Sequence, residues 1–288
     1  MTPITIDDVA KRLFDFSYGL GSPATGIQNG LHRAFSRGSG YGFDRTVPFE
    51  ADPDPRRINW KQTLLSLEFA VDQFVEEKNI SVFEVDDFSA SQCLGSKLSA
   101  IAVLRALFAF VTGAHRDRFA AYGATNIVEP ELTVPLGVYK HRALELAGQV
   151  LGFTAEKPGG GLDKALRLLP ERRSLVILVS DFLDDISAYK RLLPLIARHS
   201  VVALAIRDSR ELELPSKNGF VSFVDPETRI NVSAWLDKSG RKRFNAYALS
   251  QQREISSLFA TGGIDCLWLD GSARDVNIVA DYFIGKEG

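Results

Sequence analysis

Six apolar runs punctuate the chain, at 80–85, 118–122, 132–136, 175–179, 201–206 and 264–269. Most are near-continuously hydrophobic rather than alternating, the pattern of a strand buried on both faces. Between and after them, helical spacing appears at 98–111, 141–151, 162–168, 186–198, 244–259 and 276–283. Alternating strand and helix units predict a mostly parallel sheet covered by helices on both faces. The stretch 98–111 is apolar almost all round and is expected to lie deeply buried.

The first 75 residues read differently. Thr5 followed by Asp7 and Asp8 marks a helix start, a hydroxyl cap with acids in the first turn. After it, Gly19, Gly21, Pro23, Gly26, Gly30, Gly38, Gly40, Gly42, Pro48, Pro53 and Pro55 predict short strands and loops with no further long helix. The organisation expected is an N-terminal helix and β-rich extension over 1–75 and an α/β domain over 76–288. Phe35, Tyr41, Phe43, Phe49, Ile58 and Trp60 are too many large apolar groups for a disordered tail. They are expected to bury against the α/β domain with Trp60 as the largest anchor, so that Trp60→Ala costs roughly 3–5 kcal/mol.

Composition narrows the class. Of 288 residues, 45% are hydrophobic and 24% charged, and the formal net charge is −2, which gives no field to recruit nucleic acid or anionic membrane. Arg56-Arg57 and Arg241-Lys242-Arg243 are local basic clusters that read as solvated surface. Cys93 and Cys266 stand far apart, which argues against a disulfide framework and for a reducing compartment. The four histidines share no metal-ligand spacing with them. The N-terminus carries acid where a signal peptide needs base, and no run approaches the ~20 apolar residues of a membrane helix. A cytoplasmic location is expected.

The chemistry concentrates at strand ends. Asp87-Phe88-Ser89-Ala90-Ser91 follows the run at 80–85, and Asp181 follows the run at 175–179. In open α/β sheets ligands bind at the carboxyl edge. Two carboxylates and two hydroxyls, Asp87, Ser89, Ser91 and Asp181, are hard oxygen donors that suit Mg²⁺ or Mn²⁺ better than zinc. The plain alternative is a serine capping the next helix. Gly159-Gly160-Gly161 lacks the Gly-Lys-Ser/Thr of a phosphate loop and reads as a flexible loop. Asp184 and Asp185 are placed to cap a helix from Ile186.

At these residues the chain resembles a known family. Asp87-x-Ser89-x-Ser91 matches the D-x-S-x-S signature of the metal-ion-dependent adhesion site in von Willebrand factor A (vWA) domains, and Asp181 resembles the aspartate after their fourth strand. Five further stretches narrow the likeness: the glycine-rich 38–43, Pro53–Trp60, Ser180–Asp184, Glu211–Pro215 and Asp225–Thr228. They are similar to the bacterial vWA-like family provisionally named DUF-fifty-eight, which includes MxaS-type proteins encoded beside MoxR-type AAA+ ATPases. The likeness covers roughly 30–283. It implies a vWA-like, Rossmann-type doubly wound sheet and a Mg²⁺ or Mn²⁺ site at Asp87, Ser89, Ser91 and Asp181. Two departures stand out. Adhesion sites add a loop threonine, whereas Gly159–Asp163 offers no hydroxyl, with Asp163 a conceivable substitute two or three residues off register. Asn59 stands where the family usually has aspartate before the tryptophan.

The function implied is recognition rather than catalysis: a partner's carboxylate completes the cation's coordination. The partner implied is a MoxR-type AAA+ ATPase, acting with this chain in maturing or assembling a client complex. Arg56, Arg57 and Asp184 are candidate partner contacts. No histidine lies in these motifs to serve as a general base, which argues against hydrolysis. Two alternatives stay open. One is a metal-free structural adaptor with a degenerate site. The other is a Mg-dependent phosphatase of haloacid-dehalogenase type using Asp87, Ser180 and Asp184-Asp185, although Ser89 stands where that chemistry needs a second aspartate.

Overall fold

The computed structural model describes residues 5–11, 23–36, 42–49, 55, 58–75, 80–154, 158–208, 211, 214, 218–226, 230–272 and 274–285. Its strands in chain order are β1 (Gly42–Pro48), β2 (Ala70–Val75), β3 (Ser81–Asp87), β4 (Arg118–Ala124), β5 (Val134–Gly137), β6 (Leu175–Ser180), β7 (Ser200–Ile206), β8 (Gly219–Val224), β9 (Asn231–Leu236) and β10 (Asp265–Leu269). After a helical stretch over 6–11 come α1 (Pro23–Ser36), α2 (Trp60–Ser66), α3 (Lys97–Ala114) and α4 (Ala143–Leu151). They are followed by α5 (Leu162–Leu166), α6 (Ile186–Ile196), α7 (Lys238–Thr261) and α8 (Asp275–Ile284).

The six apolar runs form one sheet in the order β5-β4-β3-β6-β7-β10. All neighbours in it are parallel except β5, which runs antiparallel to β4. Residues 125–133, which join those two strands, are too few for the dozen or more that a parallel crossover needs. Period-two alternation sorts each strand's side chains between two cores. On β6, Leu175, Ile177 and Val179 pack with α1, α3, α4 and α8 on one face. Val176 and Leu178 pack with α5, α6 and α7 on the other. Cover on both faces leaves no polar stripe, which is why these strands read as continuous apolar runs.

α3 is the spine of the first core and is buried along most of its length, as its all-round apolar pattern requires. Among the described residues it is the one helix long and apolar enough to cross a bilayer, and 78% of it is buried inside the fold. From β3 the chain moves out to β4 and β5, then returns to β6 on the other side of β3. The strand order therefore reverses between β3 and β6. A crevice opens at such a reversal, outside the carboxyl ends of the strands.

The N-terminal part departs from expectation in two ways. First, the segment rich in glycine and proline contains the 14-residue helix α1. Pro23 stands at its first position, where a missing N–H costs nothing. Gly30 lies where α1 crosses α8: a Cβ there would stand 2.2 Å from the Phe283 carbonyl oxygen. Ile27, Leu31 and Phe35 enter the core, and that burial outweighs the ~1 kcal/mol a helical glycine costs. The described part of the extension thus holds a second helix, α1, beyond the one expected at Thr5, beside the antiparallel β1–β2 pair. Second, Trp60 is no anchor. It opens α2, is 63% exposed, and α2 buries none of its residues. The predicted stability cost of Trp60→Ala falls with it, to within about 0.5 kcal/mol of zero. Asn59 has a local role instead, its side chain accepting from the Gln62 N–H at 3.0 Å as the helix cap, a task aspartate performs equally well. Tyr41, Arg56 and Arg57 lie outside the described residues.

Candidate functional site

β3 ends at Asp87 and its neighbour β6 ends at Ser180, so both strands deliver polar groups to the crevice. The Asp87 carboxylate is gripped from each side: Oδ1 accepts from the Ser89 N–H and Oδ2 from the Ser180 hydroxyl, both at 2.9 Å. A 3₁₀ turn over Ala90–Cys93 folds Ser91 back toward its neighbours. Its Oγ lies 3.0 Å from Ser89 Oγ and donates to Asp181 Oδ2 at 2.8 Å. The four residues singled out from sequence therefore converge, and all four are buried.

Two partners escaped the sequence reading, Lys97 and Glu211, while Ser180 entered it only in the phosphatase alternative. Lys97 opens α3 and is fully buried, yet its ammonium donates to Asp181 Oδ2 at 2.8 Å and to Glu211 Oε1 at 2.5 Å. The other Glu211 oxygen accepts from the Asp208 N–H at 3.0 Å. Arg207 donates to the Asp181 and Phe182 carbonyls, both at 3.0 Å, and so fixes the loop after β6. A signal for Lys97 existed, since it heads a largely apolar helix whose one other charged residue is Arg105. Glu211 lay inside one of the family-like stretches but was given no role.

Burial, with the Asp181 carboxylate nearby, pushes Asp87 up to about 7. Burial also raises Glu211, an effect that Lys97 opposes. Asp87, Asp181, Asp184, Glu211 and Asp225 all line one cleft of about 480 Å³. Asp184 stands exposed at its rim. Asp185 is spoken for, capping α6 by accepting from the Ser187 N–H at 2.8 Å.

Residues 49–254 match the family described as "Protein of unknown function DUF58". The chain belongs to that family. The DUF58 match runs from the end of β1 into α7 and contains every residue of the cleft named above. An uncharacterized protein of Mycobacterium tuberculosis is 24% identical over 243 residues, covering 80% of this chain and 75% of its own. Another, from Mycobacterium avium, is 31% identical over 105 residues, covering 36% of this chain and 62% of its own. Among solved structures, the conserved hypothetical protein BatB from Bacteroides thetaiotaomicron aligns with a TM-score of 0.42 and 12% identity, over 73% of this chain and 100% of its own. An aerotolerance-related membrane protein from Bacteroides fragilis aligns with a TM-score of 0.41 and 14% identity, over 72% and 100%.

Adjacent ligands of an octahedral Mg²⁺ with bonds of 2.0–2.1 Å stand about 3.0 Å apart. The Ser89–Ser91 and Ser91–Asp181 oxygen separations are 3.0 and 2.8 Å. The Ser89, Ser91 and Asp181 oxygens thus stand at separations that octahedral ligation shares with ordinary hydrogen bonds, and their hard-oxygen chemistry is of the kind Mg²⁺ or Mn²⁺ takes. Among the described residues no three His, Cys, Asp or Glu side chains group around a metal position, so the serine hydroxyls are needed to complete it. The glycine loop that lacks the adhesion-site threonine does reach this cleft, with bare backbone. A Cβ on Gly159 would stand 2.9 Å from Ser89 Cβ, leaving no room for a side chain unless Ser89 moves. Asp163 pairs with Arg167 at 3.9 Å and lines an adjoining cleft that also takes in Asp87 and Asp184.

Proposed function

We propose that this DUF58 chain is a non-enzymatic protein-interaction module of vWA type whose crevice takes a divalent cation. The observation that carries the reading is the convergence of Asp87, Ser89, Ser91 and Asp181 at the reversal of strand order, with spacings that suit octahedral oxygen ligation. A hard divalent cation held there supplies an open position for a partner's carboxylate. The chain's own residues prepare that encounter. Ser180 and the Ser89 N–H orient Asp87, Arg207 anchors the loop that carries Asp181, and Lys97 balances part of the negative charge. Following the family resemblance, the partner proposed is a MoxR-type AAA+ ATPase in the cytoplasm and the task is maturation or assembly of a client complex. Calorimetry with Mg²⁺ and Mn²⁺ tests the reading: wild type binds one equivalent, and Asp87→Asn, with an unchanged circular dichroism spectrum, binds none. Equal binding by both proteins would sink it.

A second reading, the metal-free adaptor, draws on Lys97. Its ammonium already sits on Asp181 and Glu211, so a positive charge resides in the cleft without any added ion. Absence of calorimetric binding to wild type selects this reading.

A further inference from the structure

A surface beside the cleft carries its own signature. β8 and β9 form a two-stranded antiparallel sheet separate from the central one. Such a pair is marginal in water unless something covers a face. One of its faces presents the cross-strand pairs Phe220–Trp235, Ser222–Ser233 and Val224–Asn231. Phe220, Trp235 and Val224 are 80%, 59% and 61% exposed, and the two rings meet edge to face at 5.1 Å. Exposed aromatic pairs of this kind are the anchors of protein interfaces, where ring area is buried at low entropic cost.

Charge lies directly alongside. Strand β9 leads through Asp237, whose carboxylate is engaged as the helix cap by the Gly240 N–H at 2.6 Å, into α7, whose first two turns carry exposed Lys238, Lys242 and Arg243. Cations at a helix N-terminus oppose its dipole, so this end of the surface favours an anionic occupant. At the far end of the hairpin, Asp225 and Pro226 line the carboxylate cleft described above. A bilayer or a nucleic acid presents unbroken negative charge, which would press against Asp87, Asp181, Asp184, Glu211 and Asp225. A protein can set acids against α7 and keep them away from the cleft.

We infer that the Phe220–Trp235 face of the β8–β9 hairpin and the basic start of α7 form one docking surface for a partner protein segment that combines aromatic or aliphatic residues with acidic ones. This surface requires no cation, and its occupancy places the partner at the mouth of the cleft.

Fluorescence anisotropy on the full chain tests the inference, with chelator present so that the cleft contributes nothing. The probes are labelled random copolymers of Glu and Tyr, polyglutamate, and a Lys–Tyr copolymer. The Glu–Tyr copolymer is expected to bind about tenfold tighter than polyglutamate, and the Lys–Tyr copolymer to show no binding. Phe220→Ser with Trp235→Ser, and separately Lys242→Glu with Arg243→Glu, each weaken the Glu–Tyr copolymer by about tenfold. The charge reversal keeps the test decisive if the aromatic variant misfolds. Undiminished binding by both variants overturns the inference. So does a wild-type dimer in sedimentation that the charge reversal dissolves, since a second copy then covers the face. Tighter binding to phosphatidylserine vesicles than to the copolymer overturns it in favour of a membrane. Calorimetric cation binding at the cleft is unaffected by any of these outcomes.

Discussion

Asp86 and Asp87 are consecutive on β3, yet they belong to two charge clusters with opposite characters. Alternation sends Asp86, with Glu84, toward α3, and Asp87 toward the crevice. Glu84, Asp86 and Arg105 are all fully buried. Arg105 donates to Asp86, lies 3.8 Å from Glu84, and stands over the Phe88 ring at 5.6 Å. Burial, reinforced by Asp86, holds the Glu84 carboxyl well above the usual carboxylate range, and burial raises Asp86 as well, against the pull of Arg105. This cluster is closed to solvent. At the strand end, the buried cations Lys97 and Arg207 stand among Asp87, Asp181, Asp184, Glu211 and Asp225, and the surplus of carboxylates faces an open cleft. One cluster is closed within the core and the other lines an open cleft, and the difference rests on access rather than residue type.

The sharpest way to break this comparison is to remove the core cation. Arg105→Met leaves Asp86 buried and unpaired, and is expected to cost about 3–5 kcal/mol in urea unfolding. Adding Glu84→Leu and Asp86→Leu to that variant should recover most of the loss, because a well-packed apolar cluster replaces a buried ion pair at little cost. A triple variant as unstable as the single one would show that the cluster does more than hold its own charges.

Titration separates the clusters next. Asp87 moves from an ordinary value of 3.8 to about 7 on folding, so the native state holds a proton that the unfolded chain has released. Its contribution is therefore fully present below about pH 4 and lost as pH rises through about 7. Without divalent cation, stability should fall by roughly 1–3 kcal/mol between pH 5 and pH 8 on this account. Asp87→Asn removes that fall, and so does saturating Mg²⁺ in wild type. Parallel pH profiles for Asp87→Asn and wild type would contradict the environment described for Asp87.

The smallest effect concerns the cation at the open cluster. Lys97→Met should raise Mg²⁺ affinity about tenfold, or about 1.4 kcal/mol, because one positive charge leaves the cleft. Calorimetry measures this directly, and weaker binding would mean that Lys97 builds the cation position instead of opposing it.

Parts of both clusters were legible along the chain. Asp87, Ser89, Ser91 and Asp181 follow apolar runs, and a run buried on both faces announces a strand whose end is a crevice. Arg105 was visible as an interruption in an apolar helix, but its role was not, because nothing local pairs it with Asp86. Lys97 sits 84 positions from Asp181 and 114 from Glu211, distances that only a folded topology closes. The helix α1 was missed because glycine and proline were weighed as turn formers, whereas Gly30 serves a close helix crossing. Trp60 was overestimated because size argues for burial only when a neighbouring face is free to receive it.

Taken alone, the chain determined the elements and their layering. Hydrophobic periodicity is a local property, and burial on both faces writes itself into every residue of a strand. It also determined which oxygen donors stand at strand ends. Tertiary structure alone decided the antiparallel turn of β5, the exposure of Trp60 and of the Phe220–Trp235 pair, and the placement of Lys97 inside a carboxylate cleft. Each depends on which surfaces meet across the sheet, and on how many charges of each sign the reversal of strand order gathers at one point.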